Sequence, residues 1–220
     1  VQEAKRLISH VVGIDGFAGP SDLLVALAAD LGEPDLRLAA LDMLAQAEHG
    51  EGSLIVAVAP DAGAIDALQA LLTRLAGERA TLGDAALALV QSTDARDALE
   101  LANAFAPEHL QLIGPEIEAL APLVRNAGCL FVGAASATAF GDYVAGSNHV
   151  LPTAGAARFA STLSARHFRR RMAEVRIGAA ADMLAAAGVP IALAEGFDVH
   201  AESMRARIGD NDAMAEDQAI

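Results

Sequence analysis

The sequence predicts an α/β fold: an incomplete Rossmann-like, mainly parallel sheet with helices on both faces, followed by a helical C-terminal arm. Three observations carry this expectation. Short apolar runs alternate with amphipathic stretches of helical period. The runs are continuous, as in strands buried on both faces. The alternation stops after about residue 133, where a segment rich in Gly, Ala, Ser and Thr begins. Alternation of this kind implies parallel strands joined by crossover helices. Ligands of such sheets gather at the carboxyl ends of the strands.

Residues 1–20 read as a helix and loop leading into the sheet. The first strand is "DLLVALA" (22–28). A helix over 34–49 follows, with Pro34 suited to its first turn and Gly50 to the position just past its end. Strands "SLIVAVA" (53–59) and "ALALVQ" (86–91) flank a helix over 61–77. A helix over 94–105 leads to "HLQLIG" (109–114), and one over 115–126 leads to "CLFVG" (129–133). The stretch "GAASATAFGDYVAGSNHVLPTAGAARFAST" is too long for an idle loop in a compact domain and reads as functional. A basic helix, "SARHFRRRMAEVRI", and two more helices near 179–187 and 190–207 form the arm. The acidic end, "GDNDAMAEDQAI", is expected to fray. The organisation is thus 1–20, an α/β domain over 21–155 and an arm over 156–220.

Composition narrows the function classes. Apolar residues are 54% of the 220, enough for a real core, and alanine dominates them, which suits close packing of helices and sheet. There is no Trp and one Tyr, and the formal charge is −14. A nucleic-acid surface needs cations and stacking platforms, so Arg169, Arg170 and Arg171 do not outweigh the acidic remainder. The single cysteine, Cys129, cannot form an intramolecular disulfide and reads as a buried strand thiol, in keeping with a reducing cytoplasm. No apolar stretch reaches membrane-spanning length. The chain begins with Val1 rather than Met, as the C-terminal part of something longer would.

Four stretches could carry chemistry. "FAPEHLQL" sets a carboxylate and an imidazole, Glu108 and His109, side by side at the mouth of a strand. In "AQAEHG", Gln46 and His49 share one face of a last helical turn; they could hold a metal or simply cap the helix. In "FGDYVAGSNHVLPT", Asp142 and His149 lie among small residues, as ligands or as turn residues. In "AEGFDVHAES", Glu195 and His200 are candidates on a late helix, which could equally be a solvated face. Imidazole, carboxylate and amide oxygen suit zinc, and no cysteine framework competes. Spacing does not show that the four stretches converge.

Together the motifs "VQEAKR", "AGPSDLLV", "AQAEHG", "APEHLQL", "GDYVAGSNHVLPT" and "EGFDVHAES" resemble the histidinol dehydrogenase family, in order and near-family spacing, from Val1 to about residue 207. The resemblance implies zinc ligands at Gln46, His49 and Asp142, with His200 as a fourth donated by the neighbouring subunit of a homodimer. It implies an acid–base pair at Glu108 and His109, and substrate contacts at Ser21, His149 and Glu195 as well as at the metal ligands and His109. The implied reaction is oxidation of L-histidinol to L-histidine through the aldehyde, with NAD as acceptor and zinc as cofactor. Family members are about twice this long, and the NAD contacts are expected upstream of Val1. The chain departs from the family pattern at Gly16, Phe17 and Asp22, the last standing where Glu is usual. A relative acting on another small alcohol, or an inactive zinc-stabilised dimerisation module, are the competing readings.

Overall fold

The computed structural model describes residues 2–209; the acidic end expected to fray lies, from residue 210 on, outside them. The elements are α1 (Gln2–Ile8), β1 (Asp22–Leu27), α2 (Glu33–Ala47), β2 (Leu54–Ala59), α3 (Ala62–Ala76), β3 (Ala86–Gln91) and α4 (Ala95–Phe105). There follow β4 (His109–Ile113), α5 (Pro115–Glu118), β5 (Cys129–Val132), α6 (Thr138–Tyr143), α7 (Ala181–Ala194) and α8 (Asp198–Arg205). The strands form one five-stranded sheet in the order β3-β2-β1-β4-β5, with every pairing parallel. The strand order reverses between β1 and β4, as in doubly wound sheets.

The continuous apolar runs are explained by cover on both faces. Leu23, Val25 and Leu27 pack with Leu36, Ala39, Ala40 and Met43 of α2 and with α3. Leu24 and Ala26 pack on the other face with Ala98, Leu99 and Ala102 of α4. Every residue of β1 is therefore buried. Local chemistry sets the helix ends. Asp61 caps α3 by accepting from the Gly63 and Ala64 N–H groups, and Asp94 caps α4 through the Asp97 N–H. β3 is an edge strand and is less covered than its apolar run implies, with Leu87 half exposed.

Four expectations about elements are corrected. The helix over 115–126 stops at Glu118 and resumes only as a single 3₁₀ turn, Ala121–Leu123. Pro122 explains this, since an interior proline removes a donor and clashes with the preceding turn. The long loop contains a helix, α6, and Asp142 sits on it. The basic helix is absent apart from a 3₁₀ turn, Ala165–Phe168. Phe168, Met172 and Val175 are all exposed, so no apolar face is buried to hold a helix there. Finally, α7 runs through Pro190, and the break falls instead at Gly196, whose φ of 78° provides the left-handed turn.

The chain divides into two compact units at Arg170/Arg171. The first holds the sheet, and it includes residues 156–170, which the sequence places in the arm; Asn148 Nδ2 donates to Leu163 O at 2.6 Å and anchors that segment. The second contains α7 and α8, packed through Ala185, Val189, Ala192 and Ala201. Among the described residues no helix is long and apolar enough to cross a membrane.

Candidate active site

A cleft of ≈ 730 Å³ opens beside the amino ends of β1 and β4. Ser21, Gln46, His49, Glu108, His109, Asp142 and His149 all line it. Its position reverses the expectation that a ligand would sit at the carboxyl ends of the strands. Packing gives the reason. At the carboxyl edge of the β1/β4 reversal, Gly114 lies so close that an added Cβ would stand 2.5 Å from Ala28 Cβ and 2.9 Å from Leu31 Cδ2. The backbone there packs directly on Ala28 and Leu31. A depression of ≈ 540 Å³ near the carboxyl end of β2 is lined by Glu33, Asp61 and Arg74 among apolar residues, but Asp61 is occupied in capping α3. Meanwhile α2 runs back across the sheet and delivers Gln46, in its last turn, and His49, just beyond it, to the amino edge.

The site residues are held by a bracket across the β1–β4 junction. Ala106 takes the left-handed conformation (φ 57°) and turns the chain out of α4 toward Pro107 and Glu108. Asp22 Oδ1 accepts from the Glu108 N–H at 2.6 Å, and Glu108 Oε2 accepts from the Asp22 N–H at 3.2 Å. Asp22 Oδ2 accepts from the Ala154 N–H at 2.9 Å, which ties in the long loop. The Ser21 hydroxyl donates to Glu108 Oε2, and Gln46 Nε2 donates to Ser21 Oγ at 2.5 Å. The order Gln46 to Ser21 to Glu108 leaves the Gln46 carbonyl oxygen as the lone-pair end of that amide.

Burial sets the protonation states. It pushes the Glu108 carboxyl up to about 7, against hydrogen bonds from Ser21 and the Asp22 N–H and with the help of the Asp22 and Asp142 charges. It pushes the His109 imidazole below its ordinary value, against the nearby Asp142 charge, the Asp22 carbonyl and the Asp22 charge, while His49 lowers it further. Burial also raises Asp22. Glu108 Oε2 stands 3.7 Å from His109 Nδ1, too far for a hydrogen bond, and burial disfavours charge on both partners. They are neighbours that can hold or release a proton rather than an ion pair. His109 Nδ1 is buried and meets no partner with hydrogen-bond geometry, while Nε2 faces Asp142 Oδ1 at 4.0 Å. The ring rests against Phe131, with centroids 5.8 Å apart.

Among the described residues, no three His, Cys, Asp or Glu side chains are grouped as a metal cluster. Within the cleft the candidate set supplies only two residues of those types, His49 and Asp142, because the third, Gln46, is an amide. Its donor chemistry, an imidazole nitrogen, a carboxylate and an amide oxygen left free by the Ser21 contact, is nonetheless of the kind that zinc accepts. Glu195 and His200 are exposed and belong to the second unit, where Glu195 follows the last turn of α7 and the His200 ring packs on Phe197 with centroids 5.1 Å apart. The sequence reading noticed Asp22 only as a departure and missed its bracketing role. It also passed over Asp42, Gln111 and Thr138, all buried around the site. A signal existed: Gln111 is a polar residue inside an otherwise apolar strand run.

The family model for histidinol dehydrogenase matches residues 1–208. A histidinol dehydrogenase of Gluconobacter oxydans is 40% identical over 218 residues, covering 96% of this chain and 50% of the relative. One of Bradyrhizobium diazoefficiens is 41% identical over 217 residues, with coverages of 94% and 49%. The crystal structure of histidinol dehydrogenase from Elizabethkingia anophelis superposes with a TM-score of 0.82 at 25% identity, over 96% of this chain and 50% of that one. The chain therefore spans about half the length of the relatives it matches.

Proposed function

Since the chain belongs to the histidinol dehydrogenase family, we propose that it supplies the acid–base and zinc-binding part of an enzyme that oxidises L-histidinol to L-histidine through L-histidinaldehyde. What supports this reading is one observation: seven residues from four separate stretches of sequence line a single cleft, with a carboxyl and an imidazole poised on opposite sides of their usual protonation behaviour.

His109, kept neutral by burial, is the base that takes the hydroxyl proton of the substrate. Glu108 titrates near neutral pH, so it can take a proton from the water that adds to the aldehyde and return it in a later step. Ser21 and the Asp22 N–H fix the Glu108 oxygen that does this. Gln46, His49 and Asp142 would hold zinc, with His200 of a second subunit as fourth ligand. When bound, zinc supplies Lewis-acid polarisation and orientation of the substrate. His149 lines the cleft and would contact the substrate, and Glu195 would meet its cationic end. At the carboxyl ends of β1 and β4 the backbone at Gly114 packs closely on Ala28 and Leu31, and no GxGxxG motif occurs. The family does not rely on that fingerprint, and NAD contacts are assigned, as the resemblance implies, upstream of Val1. The whole protein is read as a cytoplasmic homodimer.

The test is His109→Asn in the protein that carries this chain. Turnover of L-histidinol is expected to fall by about 10²–10⁴-fold with zinc content unchanged. Undiminished turnover would make the Glu108–His109 pair structural.

A further inference from the structure

Asp42 and Gln111 are a buried polar pair beneath the floor of the cleft. Gln111 is fully buried on β4, and Asp42 is 6% exposed on α2. Gln111 Nε2 donates to Asp42 Oδ2 at 2.6 Å and to the Ser136 carbonyl at 3.2 Å. The Asp42 carboxyl is also approached by the Thr138 N–H at the start of α6. The Gln111 carbonyl oxygen is buried with no hydrogen-bond partner. Turning the amide over would set that oxygen against the Asp42 carboxylate, so the orphan is forced by the pairing. An unpaired buried carbonyl costs about 1–3 kcal/mol. A Leu at position 111 would avoid that cost, since Ile113 on the same face already packs against α2.

The spacing shows what the pair does. Gln46 lies one helical turn beyond Asp42 on the same face of α2, and His49 follows just past the end of that helix. Asp142 lies one turn beyond Thr138 on α6. His109 is two residues before Gln111, on the same face of β4. The pair thus joins the three elements that carry Gln46, His49, His109 and Asp142, one level below those side chains.

We infer that Asp42 and Gln111 are positioning residues, which fix α2, β4 and α6 at the separation the cleft requires. This rests on reading the cleft as the active site. The test uses the protein carrying this chain and compares wild type, Asp42→Asn and the double variant Asp42→Leu/Gln111→Leu. Replacing a buried polar pair by apolar residues of similar volume is often neutral or stabilising, so the double variant should keep its Tm within about 5 °C. Its kcat for L-histidinol should nevertheless fall by about 10- to 100-fold, as a displacement near 1 Å at a site can cause. KM should stay within about threefold, and the ring-proton resonances of His49 and His109 should move at fixed pH. Asp42→Asn, which still accepts from Gln111, should lose less than about fivefold in kcat. If the double variant does not fold, Gln111→Met removes the donors at nearly constant volume; it leaves the Asp42 carboxyl unpaired and should lower Tm, with the same fall in kcat and the same shift of the His49 and His109 resonances. A folded double or Gln111→Met variant with wild-type kcat and unmoved His49 and His109 resonances overturns the inference. Wild type without L-histidinol turnover would sink the functional reading, and the resonance shifts would still decide the positioning claim.

Discussion

Glu108 is a carboxyl whose environment governs both chemistry and stability. Its folded pKa, about 7, lies above the ordinary value of 4.5. The folded state therefore binds more protons than the unfolded state between those pH values, and stability falls as pH rises through that window. Glu108→Gln removes this dependence. Between pH 4 and 8 the wild type should lose up to about 3 kcal/mol more than the variant, as read by urea unfolding at both pH values. Turnover of the variant should fall by about 10²–10⁴-fold if the carboxyl moves protons. Asp22 acts through hydrogen bonds to backbone. Asp22→Ala would leave the Glu108 and Ala154 N–H groups without their acceptor, at a cost of about 2–4 kcal/mol. A loss below about 0.5 kcal/mol in denaturant unfolding would show that the bracket is not needed.

At the scale of elements, the cleft lies at the amino edge of the sheet, while at the carboxyl ends of β1 and β4 the chain closes on Ala28 and Leu31. Gly114 permits that closure twice over: it has φ 105°, and it leaves room for Ala28 and Leu31. Gly114→Ala meets both obstacles and is expected to cost about 2–4 kcal/mol, with hydrogen exchange at the β1 and β4 ends accelerated. In the second unit, α7 tolerates Pro190 because Val189 and Ala192 on either side of it are buried and hold the helix. Pro190→Ala restores a backbone donor and should protect the α7 amides by about 1–3 kcal/mol in hydrogen exchange. Unchanged protection would mean that packing alone sets the stability of α7.

For the whole molecule, the proposed role of His200 is one that two chains fulfil together. Mixing the inactive variants His49→Asn and His200→Asn is expected to restore part of the activity after subunit exchange, because a mixed dimer holds one complete zinc site. No recovery, with exchange verified by mass spectrometry of tagged subunits, would refute the shared site.

Much of this was legible in the sequence. The five apolar runs predict five strands at nearly their observed bounds, because strands covered on both faces leave an unbroken apolar record. The motifs around Gln46, Glu108, Asp142 and His200 point to a family, because each keeps side chains of distinctive chemistry at fixed local spacing. Other features depended on tertiary structure. Sequence spacing cannot show that Ser21, Gln46, Glu108 and Asp142 meet, since they are brought together by a parallel sheet whose helices return to one edge. It also cannot show that burial moves Glu108 and His109 in opposite directions, because desolvation depends on everything packed around a group rather than on its neighbours in the chain. The close approach of Gly114 to Ala28 and Leu31 is a matter of a few tenths of a nanometre, a distance that only the folded chain defines.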